Sequence, residues 1–173
     1  MKVKTVNIAL TSIIAALYAV LVIALPFLSF MVFQVRIADS LLMLSTVIGM
    51  PAVIGVTLGC FISNFIAAPW GSLGLAFIDA IGGSIANFIA SWIGYKIAYK
   101  KKIGHKLIAS LIETIVVSII VGLYLSYIIG VHYTVTISGV LLGSIISIII
   151  MGFPLSIILE KAIKHKLSNM VSS

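Results

Sequence analysis

The sequence predicts an all-α integral membrane protein: a single domain over residues 1–173 with six transmembrane helices and both termini in the cytoplasm. Three observations predict it. Of 173 residues, 62% are apolar and only 9% charged, with a mean hydropathy of +1.31, whereas a soluble domain carries roughly 25% charged residues. Apolar stretches approaching the roughly 20 residues that a helix needs to cross a bilayer core recur along nearly the whole chain. The basic residues sit in short runs between those stretches, where they set topology and meet anionic headgroups.

Breaks rich in Pro, Gly or charge divide the chain into apolar segments at about 5–25, 37–50, 51–68, 75–98, 107–130 and 136–160. The first follows Lys2 and Lys4 like a signal peptide, but no small-residue cleavage pattern leads into a polar chain, so it is expected to be retained. Residues 37–68 could form one long helix, but Gly49-Met50-Pro51 offers a break because proline lacks an amide donor and restricts its predecessor. Charge decides for two. Lysines gather at the N-terminus, at Lys96 to Lys106 and at Lys161 to Lys166, and the positive-inside rule places all three runs on the cytoplasmic side. An even number of crossings then separates them, as six helices give. The external connections, about 26–36, 69–74 and 131–135, hold no lysine and only Arg36 and His132 as basic-type residues. At about 14 residues the second helix is too short to span upright on a rise of about 1.5 Å per residue.

Polar residues at membrane depth cost a few kcal/mol unless paired or hydrated, which makes them pointers to a site. Arg36 and Asp39, three apart at the outer start of the second helix, share a helical face and can pair, either as a local ion pair that caps the helix or as part of a site. In the fourth segment Asp79, Gly83, Asn87 and Ser91 recur every four residues as a small, polar stripe. In the third, Gly55, Gly59, Ser63 and Ala67 form a second small stripe, with Cys60 and Asn64 beside it, suited to close helix packing. Asp79 needs more than packing: its carboxylate must find a donor in Arg36, water or a ligand. Trp70, in the connection leading to Asp79, is either an interfacial anchor or a stacking platform for a flat ligand. His132 and Tyr133 read as interfacial residues, Glu113 and Glu160 as cytoplasmic-end residues, and Glu160 pairs with Lys164 four residues on. Thr11, Ala15 and Ala19 form a smooth ridge on the first helix for another helix, internal or on a partner. Pro154, after Gly152, is expected to kink the last helix.

A single cysteine, Cys60, excludes an internal disulfide and a cysteine-rich metal site. No phosphate loop, metal-spaced His pair or nucleophile elbow occurs, so no ATP hydrolysis by the chain itself, cofactor or metal is expected, and basic residues placed between apolar segments speak for topology rather than nucleic-acid binding.

At Gln34-Val35-Arg36-Ile37-Ala38-Asp39-Ser40-Leu41, at 51–64 with Gly59-Cys60 and Asn64, and at Ile78-Asp79-Ala80-Ile81-Gly82-Gly83-Ser84, the chain resembles the queuosine-precursor transporter (QueT) family, over about residues 5–100. Members are substrate-binding S components of energy-coupling factor (ECF) transporters. Asp39 stands where members usually carry Glu, and Ser45 where they carry proline. The resemblance implies a six-helix S component in the cell membrane that binds a 7-deazapurine base from outside. It would hand the base to a coupling membrane subunit driven by two ATPases. On that reading Asp79 and Asn64 read the base's edge, Trp70 stacks on its face, Arg36 and Asp39 close or orient the site, and Asn87 lies deeper. Thr11, Ala15 and Ala19 would meet the coupling subunit. Rival readings are an S component for another vitamin, a stand-alone ion-coupled carrier or channel, and a membrane scaffold without ligand.

Overall fold

The computed structural model of the protein describes residues 2–31 and 33–171. Met1, Val32, Ser172 and Ser173, which the predicted domain includes, lie outside the described residues. The helices are α1 (Lys2–Ala24), α2 (Pro26–Ser29), a 3-10 helix (Ile37–Leu44) running into α3 (Ser45–Ile48), α4 (Met50–Ala67), α5 (Leu73–Ala98), α6 (Ile103–Ile129) and α7 (Tyr133–Ser144). A π-helical stretch (Ile145–Gly152) joins α7 to α8 (Phe153–Val171). Among the described residues, 5 helices are long and apolar enough to cross a membrane, the last running unbroken over Tyr133–Lys166.

Local chemistry sets the breaks. Pro26 starts α2 just after α1 ends. Gly49 takes φ +85, a region that side-chain-bearing residues avoid, and Pro51 sits in the first turn of α4. Gly130 closes α6 in the left-handed conformation, its N–H donating to the Ser126 carbonyl at 2.9 Å. His132 is the N-cap of α7: its Nδ1 accepts from the Thr134 N–H, a role beyond the interfacial one expected.

Consecutive long helices pack side by side, α1 on α4, α4 on α5, α5 on α6 and α6 on α7, and the 37–48 segment fills the space they enclose. Small residues set the close approaches. A Cβ on Gly55 would meet Ile14 and the Thr11 carbonyl, and one on Gly59 would lie 2.7 Å from the Ala15 carbonyl. The Thr11 hydroxyl also donates to the Pro51 carbonyl at 3.2 Å. Much of the predicted ridge on α1 therefore has an internal partner, α4, with Ala15 and Ala19 both buried. Side chains such as Ile13, Val20, Leu58, Ile85 and Ile115 face outward and form the apolar surface.

The short second segment is the main departure from an α-helical reading. Over Ile37–Leu44 it is a 3-10 helix, whose rise of about 2.0 Å per residue lets 37–48 reach about 22 Å. At one end Arg36 approaches Cys60 and Ser29; at the other a Cβ on Gly49 would touch the Tyr99 ring at 3.1 Å. Its residues are buried from Ala38 to Thr46, where irregular backbone is tolerated because protein rather than lipid surrounds it. It packs on the π stretch so closely that a Cβ on Gly152 would lie 2.8 Å from the Ser40 carbonyl. The disturbance expected at Pro154 takes the form of those π turns. Pro154 has no N–H for an α-helical bond, and the preceding Phe153 N–H reaches back five residues to the Ile148 carbonyl.

Two acidic residues differ from expectation. Glu113 is fully buried, about 15 Å along α6 from its start rather than at a helix end. Glu160 pairs with Lys164 at 2.7 Å as expected, and also with Lys106 at 2.6 Å. Lys106 is only 1% exposed, because α6 begins at Ile103, four residues before its predicted start, and turns this lysine inward.

Candidate ligand-binding site

The polar stripe of α5 faces inward, with Asp79, Asn87 and Ser91 buried and Gly83 between them. A Cβ on Gly83 would lie 2.8 Å from Asn64 Nδ2 and 3.0 Å from Cys60 Sγ, so the absent side chain makes room for the polar residues of α4. Asp79 is the centre of the first polar group. Its Oδ2 accepts the Trp70 indole N–H at 2.8 Å, and its Oδ1 accepts the Tyr124 hydroxyl at 2.9 Å and Asn64 Nδ2 at 3.2 Å. Each oxygen is thus used, as burial at 1% exposure demands. Arg36 is not among the donors.

A second group lies deeper. The Tyr18 hydroxyl donates to Asp39 Oδ1 at 2.5 Å and accepts from Asn87 Nδ2 at 2.9 Å, linking α1, the 3-10 helix and α5. Tyr18→Phe removes both bonds and leaves two buried polar groups short of a partner. The expected result is a loss of about 1–3 kcal/mol, read as lower thermal stability of the purified protein.

The Arg36–Asp39 ion pair that the sequence allows is absent among the described residues. Arg36 precedes the 3-10 helix in extended backbone, with φ −82 and ψ 94, so the shared-face argument does not apply, and Tyr18 takes the Asp39 carboxylate. The guanidinium instead donates to the Ser29 carbonyl at 3.2 Å and to Cys60 Sγ at 3.8 Å, and lies 5.5 Å from the Phe30 ring centre. Three buried atoms at or beside this region make no hydrogen bond to protein: Arg36 Nε, Asn64 Oδ1 and Gln34 Oε1.

Trp70, which donates to Asp79, also lines a cleft of about 420 Å³ with Phe27, Phe30, Phe33 and Ile129 among others. The Trp70 ring meets Phe30 edge-on at 6.0 Å in the cleft wall while its N–H donates to Asp79. Volume and aromatic lining suit a small flat molecule.

The structure thus brings together Asn64, Trp70 and Asp79, places Arg36 beside them, and sets Asp39 with Asn87 one layer down. Sequence reasoning missed Tyr18 and Tyr124. The available signal for Tyr124 was Gly82, since a Cβ there would lie 2.7 Å from the Tyr124 ring. No group of residues suited to hold a metal occurs among the described residues.

The sequence model of a family described as QueT transporter matches residues 8–161. The chain belongs to the QueT transporter family. The match extends past the resemblance at 5–100 to take in α6, α7, the π stretch and about half of α8. Neither a curated protein nor a solved structure matches the chain. As a QueT family member it is a multi-pass membrane protein of transport, with a non-enzymatic role.

Proposed function

We propose that the chain is the substrate-binding S component of an ECF ABC-type importer and takes up a queuosine precursor, a 7-deazapurine base. The observation that carries this reading is the buried Asp79, held by Tyr124, Asn64 and Trp70, the last of which also lines an aromatic cleft. A flat base entering the cleft would stack against Trp70 and Phe30. Asp79 would accept from its edge N–H groups, exchanging an internal donor for a ligand donor. Asn64 Oδ1 and Arg36 Nε, which have no protein partner, would supply one acceptor and one donor. A site built on such pairing discriminates strongly, because a ligand lacking a group leaves a buried partner unmatched. Asp39, Tyr18 and Asn87 are positioning residues that fix the floor.

The topology proposed with it has six crossings, the 37–48 segment being the second, and cytoplasmic termini. That arrangement puts the cleft outside and the Lys96–Lys106 and Lys161–Lys166 runs inside. The coupling subunit would meet α1 where Thr11, Ala15 and Ala19, with Ser12, Ala16 and Leu58, line a shallow groove of about 390 Å³ beside α4.

The test is uptake into vesicles holding the chain with its coupling subunit and two ATPases. Accumulation of a pre-queuosine base that requires internal ATP is expected. A second reading, the ion-coupled carrier, draws on Glu113, whose buried Oε2 has no hydrogen-bond partner at membrane depth. Uptake by the chain alone, driven by a proton gradient, would favour it and count against the importer.

A further inference from the structure

The chain has only 4 acidic residues, and Asp39, Asp79 and Glu113 are buried inside the bundle. At the end of the bundle where α5 gives way to α6, Glu160 is therefore the sole acidic side chain among the described residues. There a cavity of about 240 Å³ lies between the start of α6 and α8, walled by Lys101, Lys102, Lys106, Lys161, Lys164 and Glu160. Five lysines face one carboxylate, an excess of four positive charges. Glu160 is already committed to Lys106 at 2.6 Å and Lys164 at 2.7 Å, and Lys106 Nζ also donates to the Ser156 carbonyl at 3.4 Å. Lys101, Lys102 and Lys161 are exposed, with no partner among the described residues.

The backbone adds to this field. No side chain caps α6 at Lys102, its first turn carries no acidic residue, and a Cβ on Gly104 would meet nothing within 4 Å. The positive end of a long helix thus stands open at the wall of a lysine-lined cavity, an arrangement that favours phosphate-type anions. Ile103 and Ile157 share the wall. From Ile103 an exposed apolar line continues along α6 through Leu107 and Leu111, at intervals of four residues on one face. A free anion has no use for that line, whereas acyl chains below a headgroup would lie along it.

The geometry points to a site for an anionic phospholipid: its phosphate in the lysine cavity against Lys101, Lys102 and Lys161, its acyl chains along Ile103, Leu107 and Leu111. Lys106, Glu160 and Lys164 form the back wall, where the Lys106–Glu160 ion pair ties α6 to α8. A bound lipid would join the two helix ends across the cavity and hold this end at the membrane surface.

The experiment is native mass spectrometry of the detergent-purified chain titrated with phosphatidylglycerol, phosphatidylcholine or inorganic phosphate. Because the chain is used alone, the result is independent of the importer reading. The parent should retain phosphatidylglycerol in preference to phosphatidylcholine. A Lys101→Gln, Lys102→Gln, Lys161→Gln variant should bind it about a hundredfold more weakly at low salt. Because all three side chains are exposed, the variant should fold; the corresponding triple arginine variant should restore binding. Equal retention of the two lipids, or unchanged phosphatidylglycerol binding in the glutamine variant, would overturn the proposal. Displacement of the lipid by equimolar inorganic phosphate would also overturn it, leaving an anion site without an acyl contribution.

Discussion

Asp79→Ala is expected to weaken binding of a deazapurine base by about a hundredfold, a loss of about 3 kcal/mol. The carboxylate is the acceptor around which Trp70, Tyr124 and Asn64 are arranged, and all three donors would be left unmatched without it. Part of the loss would come from a loosened Trp70, since its N–H bond to Asp79 fixes the ring in the cleft wall. Asp79→Asn separates charge from shape. It keeps the outline and one acceptor oxygen, but its Nδ2 is a donor and cannot accept from Trp70, or from Tyr124 and Asn64, so part of the donor set is left unmatched and binding should still weaken about tenfold. Calorimetric titration of both variants reads the effect. If a normally folded Asp79→Ala protein bound as tightly as the parent, Asp79 would not contact the ligand.

Gly143→Ala is expected to destabilise the protein by about 3 kcal/mol or more. A Cβ at this position of α7 would fall on the backbone carbonyl of Gln34. Both neighbours are backbone, with no flexible side-chain end to move aside, so either α7 or the chain at 34–35 must shift. That segment leads directly into Arg36, so ligand affinity should fall along with stability. Gly74→Ala is the control. Its nearest neighbour would be Ser72 Oγ at 3.7 Å, an ordinary contact, and its stability should match the parent. Thermal unfolding in detergent compares the two; equal midpoints would show that α7 does not press on the 34–35 backbone.

These residues also show what was legible in the sequence. The long helices were, because each is an apolar run of membrane-spanning length, but their ends were less so: the last helical run covers 133–171 where about 136–160 was expected. α6 starts at Ile103 rather than about 107 because Lys106, read as a topological charge, turns inward to Glu160. The second segment was legible as too short, but not as a 3-10 helix. Over eight residues the apolar pattern does not separate the two helix types, and the choice depends on packing against the π stretch, far away in sequence.

In the site, Asn64, Trp70 and Asp79 stood out because polar groups in apolar segments demand an explanation. Tyr18 and Tyr124 did not, since a tyrosine in such a helix reads as one more aromatic, and their partners lie 21 and 45 residues away. The Arg36–Asp39 pair failed for the converse reason. Sequence nearness suggested a local bond, whereas extended backbone at Arg36 and the distant Tyr18 separate the two.

The central claim is that the cleft lined by Trp70 binds a 7-deazapurine base. Its most direct test is an equilibrium titration of the detergent-purified chain with a pre-queuosine base, beside riboflavin, thiamine and biotin. Saturable binding of the deazapurine alone is the expected result. Saturable binding of one of the vitamins in its place, or of none of the four, would contradict it.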